Sequence, residues 1–198
     1  MFSVRIHGRG GQGVVTAAEL LSVAVHASGR YAQAFPSFGS ERTGAPVVAF
    51  CRADDRPIRL REPVVNPDAL VVQDATLLSA GGLFDGLAAE GWVLINANVP
   101  RERLHLPPVI SALDRTHLVV VPATQLALAH IGRPVPNAAL LGGLAALTGL
   151  VPIDAVLDAI RERFPAGLAQ GNAAAARATY DLVRRALPAT VGEERDRG

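Results

Sequence analysis

A glycine-rich run near the N-terminus constrains the fold more than any other feature of the sequence. Residues 2–7 alternate apolar and polar side chains, which predicts a strand. The run at residues 8–13 (GRGGQG) follows at once, and apolar residues then recur at helical spacing over residues 14–28. A glycine-rich turn between a first strand and a first helix is typical of α/β domains that hold an anionic group at the helix N-terminus.

The rest of the chain continues the alternation of strands and helices. Short, apolar runs predict buried strands of a parallel sheet. The predicted strands are 31–35, 47–52, 58–60, 69–73, 92–96 and 118–122, and the predicted helices are 77–90, 123–131, 137–147, 153–164 and 173–187. This order predicts a doubly wound α/β domain with a mostly parallel, Rossmann-like sheet and C-terminal helices. We expect a single domain over residues 1–187 and a flexible tail over residues 188–198.

Composition narrows the classes of function. The chain is 49% hydrophobic with a mean hydropathy of +0.27, yet its apolar runs are shorter than the ~20 residues of a spanning helix. The surplus of apolar residues must therefore be packed inside the fold or hidden against a partner, and we favour a large apolar contact with other subunits. Because a chain with one cysteine forms no internal disulfide, we expect a cytoplasmic protein. The formal net charge of +1 gives no long-range attraction to nucleic acid.

Several kinds of catalytic site are excluded by residue usage. All nineteen basic residues are Arg, so neither a Schiff-base lysine nor the lysine of a P-loop is available. Cys51 is the single cysteine, so the chain cannot hold an iron–sulfur cluster through several thiolates. His105, His117 and His130 lack metal-ligand spacing. We predict no catalytic residue and no metal site within this chain.

The glycine run also fits the dinucleotide fingerprint G-x-G-x-x-G through Gly8, Gly10 and Gly13. A Rossmann NAD site needs a carboxylate at the end of the second strand, and residues 33–37 (QAFPS) offer none. Glu41 comes later, in a predicted loop. The glycine turn is therefore expected to pack against another backbone, or to hold a phosphate-bearing ligand shared with a partner.

Several polar residues lie near the ends of the predicted strands. His7 is predicted to bond to nearby backbone, and Arg9 to meet a phosphate or an acidic partner residue. Asp74, Asn96 and Asn98 follow predicted strands, at the edge where α/β sheets bind ligands. They are equally suited to capping the next element.

Two longer motifs resemble a known family. The run at residues 7–13 (HGRGGQG), followed by 15–18 (VTAA), resembles the opening of gamma subunits of pyruvate:ferredoxin and related 2-oxoacid oxidoreductases. The loop at residues 34–47 (AFPSFGSERTGAPV) resembles a second motif of the same family. Shorter matches occur at residues 57–59 (PIR), 67–68 (PD), 137–142 (NAALLG) and around Asn172.

This resemblance implies a subunit of a larger enzyme. Alpha-, beta- and delta-type sister chains would bind thiamine diphosphate with Mg²⁺ and carry [4Fe-4S] clusters. The complex would oxidatively decarboxylate a 2-oxoacid with coenzyme A, giving acyl-CoA and CO2. A gamma-type chain would help assembly and contribute to the coenzyme A site, without a catalytic centre of its own. The residues expected at that site are Gly8, Arg9, Gly10, Gly11, Gln12, Gly13, Arg42 and Thr43.

Two other functions are compatible with the residues. One is a free-standing NAD(P)-dependent oxidoreductase in which Arg42 accepts a 2′-phosphate. The other is a structural scaffold subunit that binds no ligand. The sequence leaves the 2-oxoacid and the electron acceptor open.

Overall fold

The computed structural model describes residues 1–37 and 44–188. Within them one sheet of six strands forms, in the order β2-β3-β1-β4-β5-β6. The strands are β1 (Phe2–Arg9), β2 (Tyr31–Pro36), β3 (Pro46–Asp54), β4 (Ala69–Val72), β5 (Trp92–Asn96) and β6 (Leu118–Val121). β1, β4, β5 and β6 pair in parallel, whereas β3 is antiparallel to both β1 and β2. The predicted α/β class and mostly parallel sheet are confirmed.

The long helices pack on one face of this sheet. The α-helices are α1 (Val14–Ala27), α2 (Pro108–Ser111), α3 (Ala123–Ile131), α4 (Asn137–Thr148), α5 (Ile153–Arg163) and α6 (Ala166–Ala186). α1 lies against β2 and β3, α4 against β4 and β5, and α6 against β6. The opposite face is covered by two 3-10 helices, turns and the short α2.

α4 forms the centre of the helical layer, and every residue of it is buried. Small side chains allow this, because they let neighbouring helices approach closely. A Cβ on Gly142 would collide with the backbone carbonyl of Ala176 in α6. The nearly uninterrupted apolar composition of residues 138–147 therefore reflects burial on all sides.

Three predicted elements differ from the structure. Residues 58–60 form no strand, because buried arginines bond to the carbonyls just beyond them in place of a neighbouring strand. Residues 77–90 form turns after a 3-10 helix at Ala75–Ser79, since Gly82 and Gly86 adopt φ values of 80° and 75° that end helical structure. α6 begins seven residues earlier than predicted, at Ala166 directly after Pro165, where proline is favourable at a helix start.

Among the described residues, no helix is both long and apolar enough to span a bilayer.

Candidate functional site at the glycine loop

The glycine loop, residues 10–13, connects the end of β1 to the start of α1. Gly11 and Gly13 have φ values of 92° and 71°, in the left-handed region that favours glycine. The first turn of α1 has no side-chain cap. The backbone N–H groups of Gly11 and Gly13 find no acceptor within residues 1–37 and 44–188. The loop therefore presents unpaired donors at the positive end of a helix, as anion-binding loops do.

The glycines of this loop depart from the dinucleotide fingerprint, in which the third glycine allows close packing of helix and strand. Gly8 lies within β1, and a Cβ there would come within 2.6 Å of Val14 Cγ2 and 3.2 Å of Gln73 Cβ. Gly8, and not Gly13, thus allows the close approach of strand and helix. Gly13 instead faces Asn137, whose side chain a Cβ on Gly13 would meet. Within residues 1–37 and 44–188, nothing lies within 4 Å of a Cβ on Gly11, so no described residue crowds that position.

The side chain of Gln12 joins the loop to the neighbouring strand end. Its Oε1 accepts from the backbone N–H of Arg9 at 2.8 Å, and its Nε2 donates to Asp74 Oδ2 at 2.8 Å. Asp74 follows β4, and its Oδ1 accepts from both the backbone N–H and the hydroxyl of Thr76. A single amide thus connects β1 to the end of β4, and this connection fixes the path of the loop.

Arg9 contacts three groups of its own chain. Its Nε and Nη2 donate to Thr76 Oγ1 at 3.1 and 2.8 Å, and its Nη1 donates to the carbonyl of Gly44 at 3.0 Å. Its Nε lies 3.4 Å from Asp74 Oδ2. A guanidinium has five N–H groups, so one on each Nη remains for a further acceptor. Within this chain the carboxylate next to Arg9 is that of Asp74, and contact of Arg9 with a phosphate or an acidic partner residue stays a prediction.

The second family motif meets the glycine loop in space. The N–H of Gly10 donates to the carbonyl of Ala45 at 2.9 Å, and the N–H of Gly44 donates back to the carbonyl of Gly10 at 3.2 Å. The two family motifs thus lie together in space, although Arg9 and Gly44 are 35 positions apart in the sequence. Arg42 and Thr43, predicted to take part in it, lie outside the described residues.

Electrostatics keep Asp74 charged. Burial by itself would raise the pKa of Asp74, but hydrogen bonds from Thr76 and Gln12 and the charge of Arg9 outweigh that effect and hold the pKa below its usual value. A carboxylate beside the loop partly neutralises Arg9. An anion at this loop would consequently be bound by the backbone donors and the remaining N–H groups of Arg9.

The other polar strand ends act mainly as caps. Asp74 caps the 3-10 helix through Thr76, and Asn96 Oδ1 accepts from the backbone N–H of Thr124 at the start of α3. Asn96 Nδ2 also donates to the carbonyl of Gln73 at 2.8 Å. Of the three predicted positions, only Asp74 contacts the glycine loop, because Asn98 lies exposed beyond the end of β5.

His7 is a half-buried neutral group, and Cys51 is a fully buried one. The prediction that His7 bonds to backbone is wrong, because its Nε2 accepts from Arg5 Nε at 3.0 Å. Burial, and secondarily the charge of Arg5, lower the pKa of His7 to about 4. Burial raises the pKa of the Cys51 thiol to about 12. A thiol of this kind is unsuited to ligating a cluster, since the thiolate is the ligand.

Sequence reasoning missed three residues of the site. Thr76 could have been found from the pattern D-A-T after a strand, which is typical of a capping turn. Asn137 begins the family match at residues 137–142, but its contact with Gly13 depends on tertiary packing, and Gln73 gave no local signal of its place beside Gly8. The Gln73 side chain is 1% exposed, and neither atom of its amide has a hydrogen-bond partner among the described residues.

Comparison with known proteins identifies the family of the chain. The model of the family described as pyruvate ferredoxin/flavodoxin oxidoreductase matches residues 3–182. The chain belongs to this family. It is 44% identical over 184 residues to the pyruvate synthase subunit PorC of Methanothermobacter marburgensis, covering 93% of this chain and 98% of that protein.

Two further members of the family agree. The common gamma subunit of the pyruvate/ketoisovalerate oxidoreductases of Pyrococcus furiosus is 45% identical over 183 residues, which cover 91% of this chain and 96% of that protein. The crystal structure of pyruvate oxidoreductase subunit PORC from Thermotoga maritima superimposes with a TM-score of 0.76 at 38% identity, covering 91% of this chain and 95% of that one. The chain is thus a gamma-type subunit of a multi-subunit oxidoreductase, as the two motifs predicted.

Proposed function

We propose that this chain is the non-catalytic gamma subunit of a 2-oxoacid:acceptor oxidoreductase and that its glycine loop contributes to the binding of coenzyme A. In this proposal alpha-, beta- and delta-type sister chains hold thiamine diphosphate, Mg²⁺ and the [4Fe-4S] clusters. The complex converts a 2-oxoacid and coenzyme A into acyl-CoA and CO2, and passes the electrons to an acceptor such as ferredoxin. The proposal extends the family membership and the gamma-type similarity to the chemistry of the assembly.

The loop carries the coenzyme A part of the proposal. The N–H groups of Gly11 and Gly13, which have no acceptor among the described residues, lie at the start of α1, and Arg9 has further N–H groups beside them. Coenzyme A carries several phosphate groups, which suit backbone donors at a helix start and a guanidinium. No residue in the described part of the chain crowds Gly11, which favours the approach of a ligand to the backbone there.

The cofactors of the proposed complex do not fit this chain. Cluster irons bind thiolates, and Cys51 is buried in β3 with a pKa of about 12. Within the described residues, no three His, Cys, Asp or Glu side chains converge to hold a metal ion. The cofactors are therefore assigned to the sister chains.

The NAD(P) alternative is disfavoured by the strand order. In a dinucleotide-binding fold the second strand lies beside the first, which places its terminal carboxylate near the ribose. Here antiparallel β3 separates β2 from β1. The end of β2, at Pro36, therefore lies one strand away from the glycine loop and offers no carboxylate there.

The test is the Michaelis constant for coenzyme A in the assembled complex carrying Arg9→Ala or Gly11→Ala. Hydrogen bonds to charged groups contribute about 1.5–3 kcal/mol, so Arg9→Ala should raise that constant by roughly 10- to 100-fold. The Michaelis constant for the 2-oxoacid should stay unchanged. Arg30→Ala is the control for Arg9, because it removes a similarly exposed, ion-paired guanidinium that follows the far end of α1.

Gly29→Ala is the matched control for Gly11. Gly29 has a φ of 79° and open space around its Cβ position, but it follows the far end of α1. A raised constant for Gly11→Ala with a normal one for Gly29→Ala supports a ligand at the loop. Unchanged constants for both Arg9→Ala and Gly11→Ala, with normal assembly, would reduce the loop to a structural turn and favour the scaffold function.

A further inference from the structure

We propose that residues 57–65 (PIRLREPVV) form a docking segment that binds an acidic surface of a sister subunit. The segment follows β3 and crosses the face of the sheet opposite α1 without forming a helix or strand. The proposal rests on the gamma-type membership of the chain, and it is independent of coenzyme A binding at the glycine loop.

Two buried arginines hold the backbone of this docking segment. Arg52 Nη2 donates to the carbonyl of Glu62 at 2.6 Å. Arg5 Nη1 lies 3.4 Å from the carbonyl oxygens of both Val64 and Val65. Arg5 is only 8% exposed and Arg52 only 4%. Burying a guanidinium is costly, so the fold commits two of them to fixing the course of a segment that lacks regular structure.

These hydrogen bonds reach only the main chain of the segment. Val64 is buried in the fold, whereas the side chains of Arg59, Leu60, Arg61 and Val65 are exposed and free for other contacts. Leu60 is 46% exposed and Val65 is 69% exposed. A single exposed aliphatic residue is ordinary on a protein surface. Here, however, two exposed aliphatic residues lie on a segment of nine residues whose backbone is held by the buried Arg5 and Arg52. Apolar groups held in one arrangement in water are suited to an interface, because little conformational entropy is lost on binding.

The charge of the segment indicates the chemistry of its partner. Arg59 and Arg61 flank Leu60, and both are exposed; together with the exposed Glu62 they give the segment a net charge of +1. Neither forms an ion pair within the described parts of the chain, whereas the neighbouring Asp55 is paired with Arg30. Arginine next to aliphatic side chains is suited to a protein interface, and a guanidinium pairs with a carboxylate through two parallel hydrogen bonds. The complementary surface therefore carries carboxylates around an apolar depression that receives Leu60.

The position of the segment separates it from the glycine loop. Arg5 lies in the middle of β1, where it pairs with Phe50. Arg52 lies near the end of β3, where it pairs with Ser3. The glycine loop begins after Arg9, at the other end of β1. Substitutions of exposed side chains in the segment are therefore expected to leave the loop intact.

The experiment is charge reversal in the complete, co-expressed complex. Arg59→Glu combined with Arg61→Glu is expected to weaken association of this chain with its sister subunits at least tenfold, as measured by native mass spectrometry of diluted complex. The matched control is Arg184→Glu combined with Arg185→Glu at the exposed end of α6, which makes the same change in net charge near the opposite edge of the sheet. The control should assemble like the wild type.

A second variant separates docking from folding. Leu60→Ser removes the apolar contact without changing charge, and it should weaken association while the unfolding midpoint of the isolated chain stays within about 1 °C of wild type. Wild-type affinity should fall with added salt more steeply than that of the Arg59→Glu/Arg61→Glu variant. The docking proposal would be wrong if both charge reversals weakened association equally. It would also be wrong if all variants assembled normally in a complex that the wild type forms. Failure of the wild type itself to assemble would contradict the proposed function instead.

Discussion

Asn137, the first residue of α4, lies directly against Gly13, the residue before α1. Its Nδ2 is 3.3 Å from the carbonyl oxygen of Gly13, and its Oδ1 accepts from the backbone N–H of Ala138 at 2.8 Å. The two residues are 124 positions apart in sequence. This contact joins the starts of two helices at the glycine loop, and it explains why a buried asparagine stands at the head of an otherwise apolar helix.

Gly13→Ala should therefore destabilise the fold for two reasons. The left-handed backbone costs a non-glycine residue about 1–2 kcal/mol, and the new Cβ would collide with the Asn137 side chain, adding an overpacking cost of about 1–3 kcal/mol. Gly29→Ala has the same backbone strain without a collision and should cost only the first amount. Urea unfolding of both variants measures the difference. Equal losses would show that Asn137 can move aside at no cost.

The sequence predicted the strands, helices and turns of this site better than the contacts between them. The strand at Trp92–Asn96 and the turn between β1 and α1 follow from local patterns of apolar residues and glycine. The contact of Gly13 with Asn137 and the pairing of Gly10 with Ala45 depend on how distant segments pack, and no local pattern encodes that. The dinucleotide fingerprint places its third glycine where helix and strand approach closely, whereas here Gly8 has that role and Gly13 faces Asn137.

The Gln12–Asp74 hydrogen bond predicts an exchange of residues that preserves the site. Gln12→Glu alone would bring two carboxylates within hydrogen-bond distance, and it should destabilise the chain by about 1–3 kcal/mol. In the double variant Gln12→Glu/Asp74→Asn, the carboxylate introduced at position 12 still accepts from the N–H of Arg9. The amide introduced at position 74 can donate to that carboxylate, so the bridge re-forms with its donor and acceptor exchanged.

The double variant should therefore recover most of the lost free energy of unfolding. Chemical denaturation of wild type, both single variants and the double variant gives the coupling energy. A double variant as unstable as the sum of the two single ones would show that the amide bridge does not fix the loop.

Cys51 should be almost unreactive in the folded chain. Burial raises the pKa of its thiol from 9.0 to about 12, which lowers the thiolate fraction at pH 8 roughly 1000-fold, and the side chain is shielded within β3. Labelling by a thiol reagent should thus follow unfolding of the chain, and it should become rapid in urea. Rapid labelling without denaturant, at a rate independent of stability, would mean that β3 opens locally or that Cys51 is accessible.

His7 should make the stability of the chain depend on pH. In the unfolded chain its pKa is near 6.5, and in the fold burial and the charge of Arg5 lower that pKa to about 4. Between these values the unfolded state binds more protons, so the free energy of unfolding rises with pH. The stabilising contribution is fully present above about pH 6.5 and is lost as the pH falls toward 4, a loss of roughly 1–3 kcal/mol.

His7→Gln isolates this effect from the titration of carboxylates. Glutamine keeps an acceptor for Arg5 Nε, which donates to His7 Nε2 in the wild type, and it does not titrate. The difference in the free energy of unfolding between wild type and variant should therefore change steadily from pH 6.5 to 4, with wild type losing more on acidification. Urea titrations at half-unit pH intervals measure that difference. A difference constant across the interval would mean that His7 keeps an ordinary pKa in the fold and that its neighbourhood admits a protonated imidazole beside Arg5.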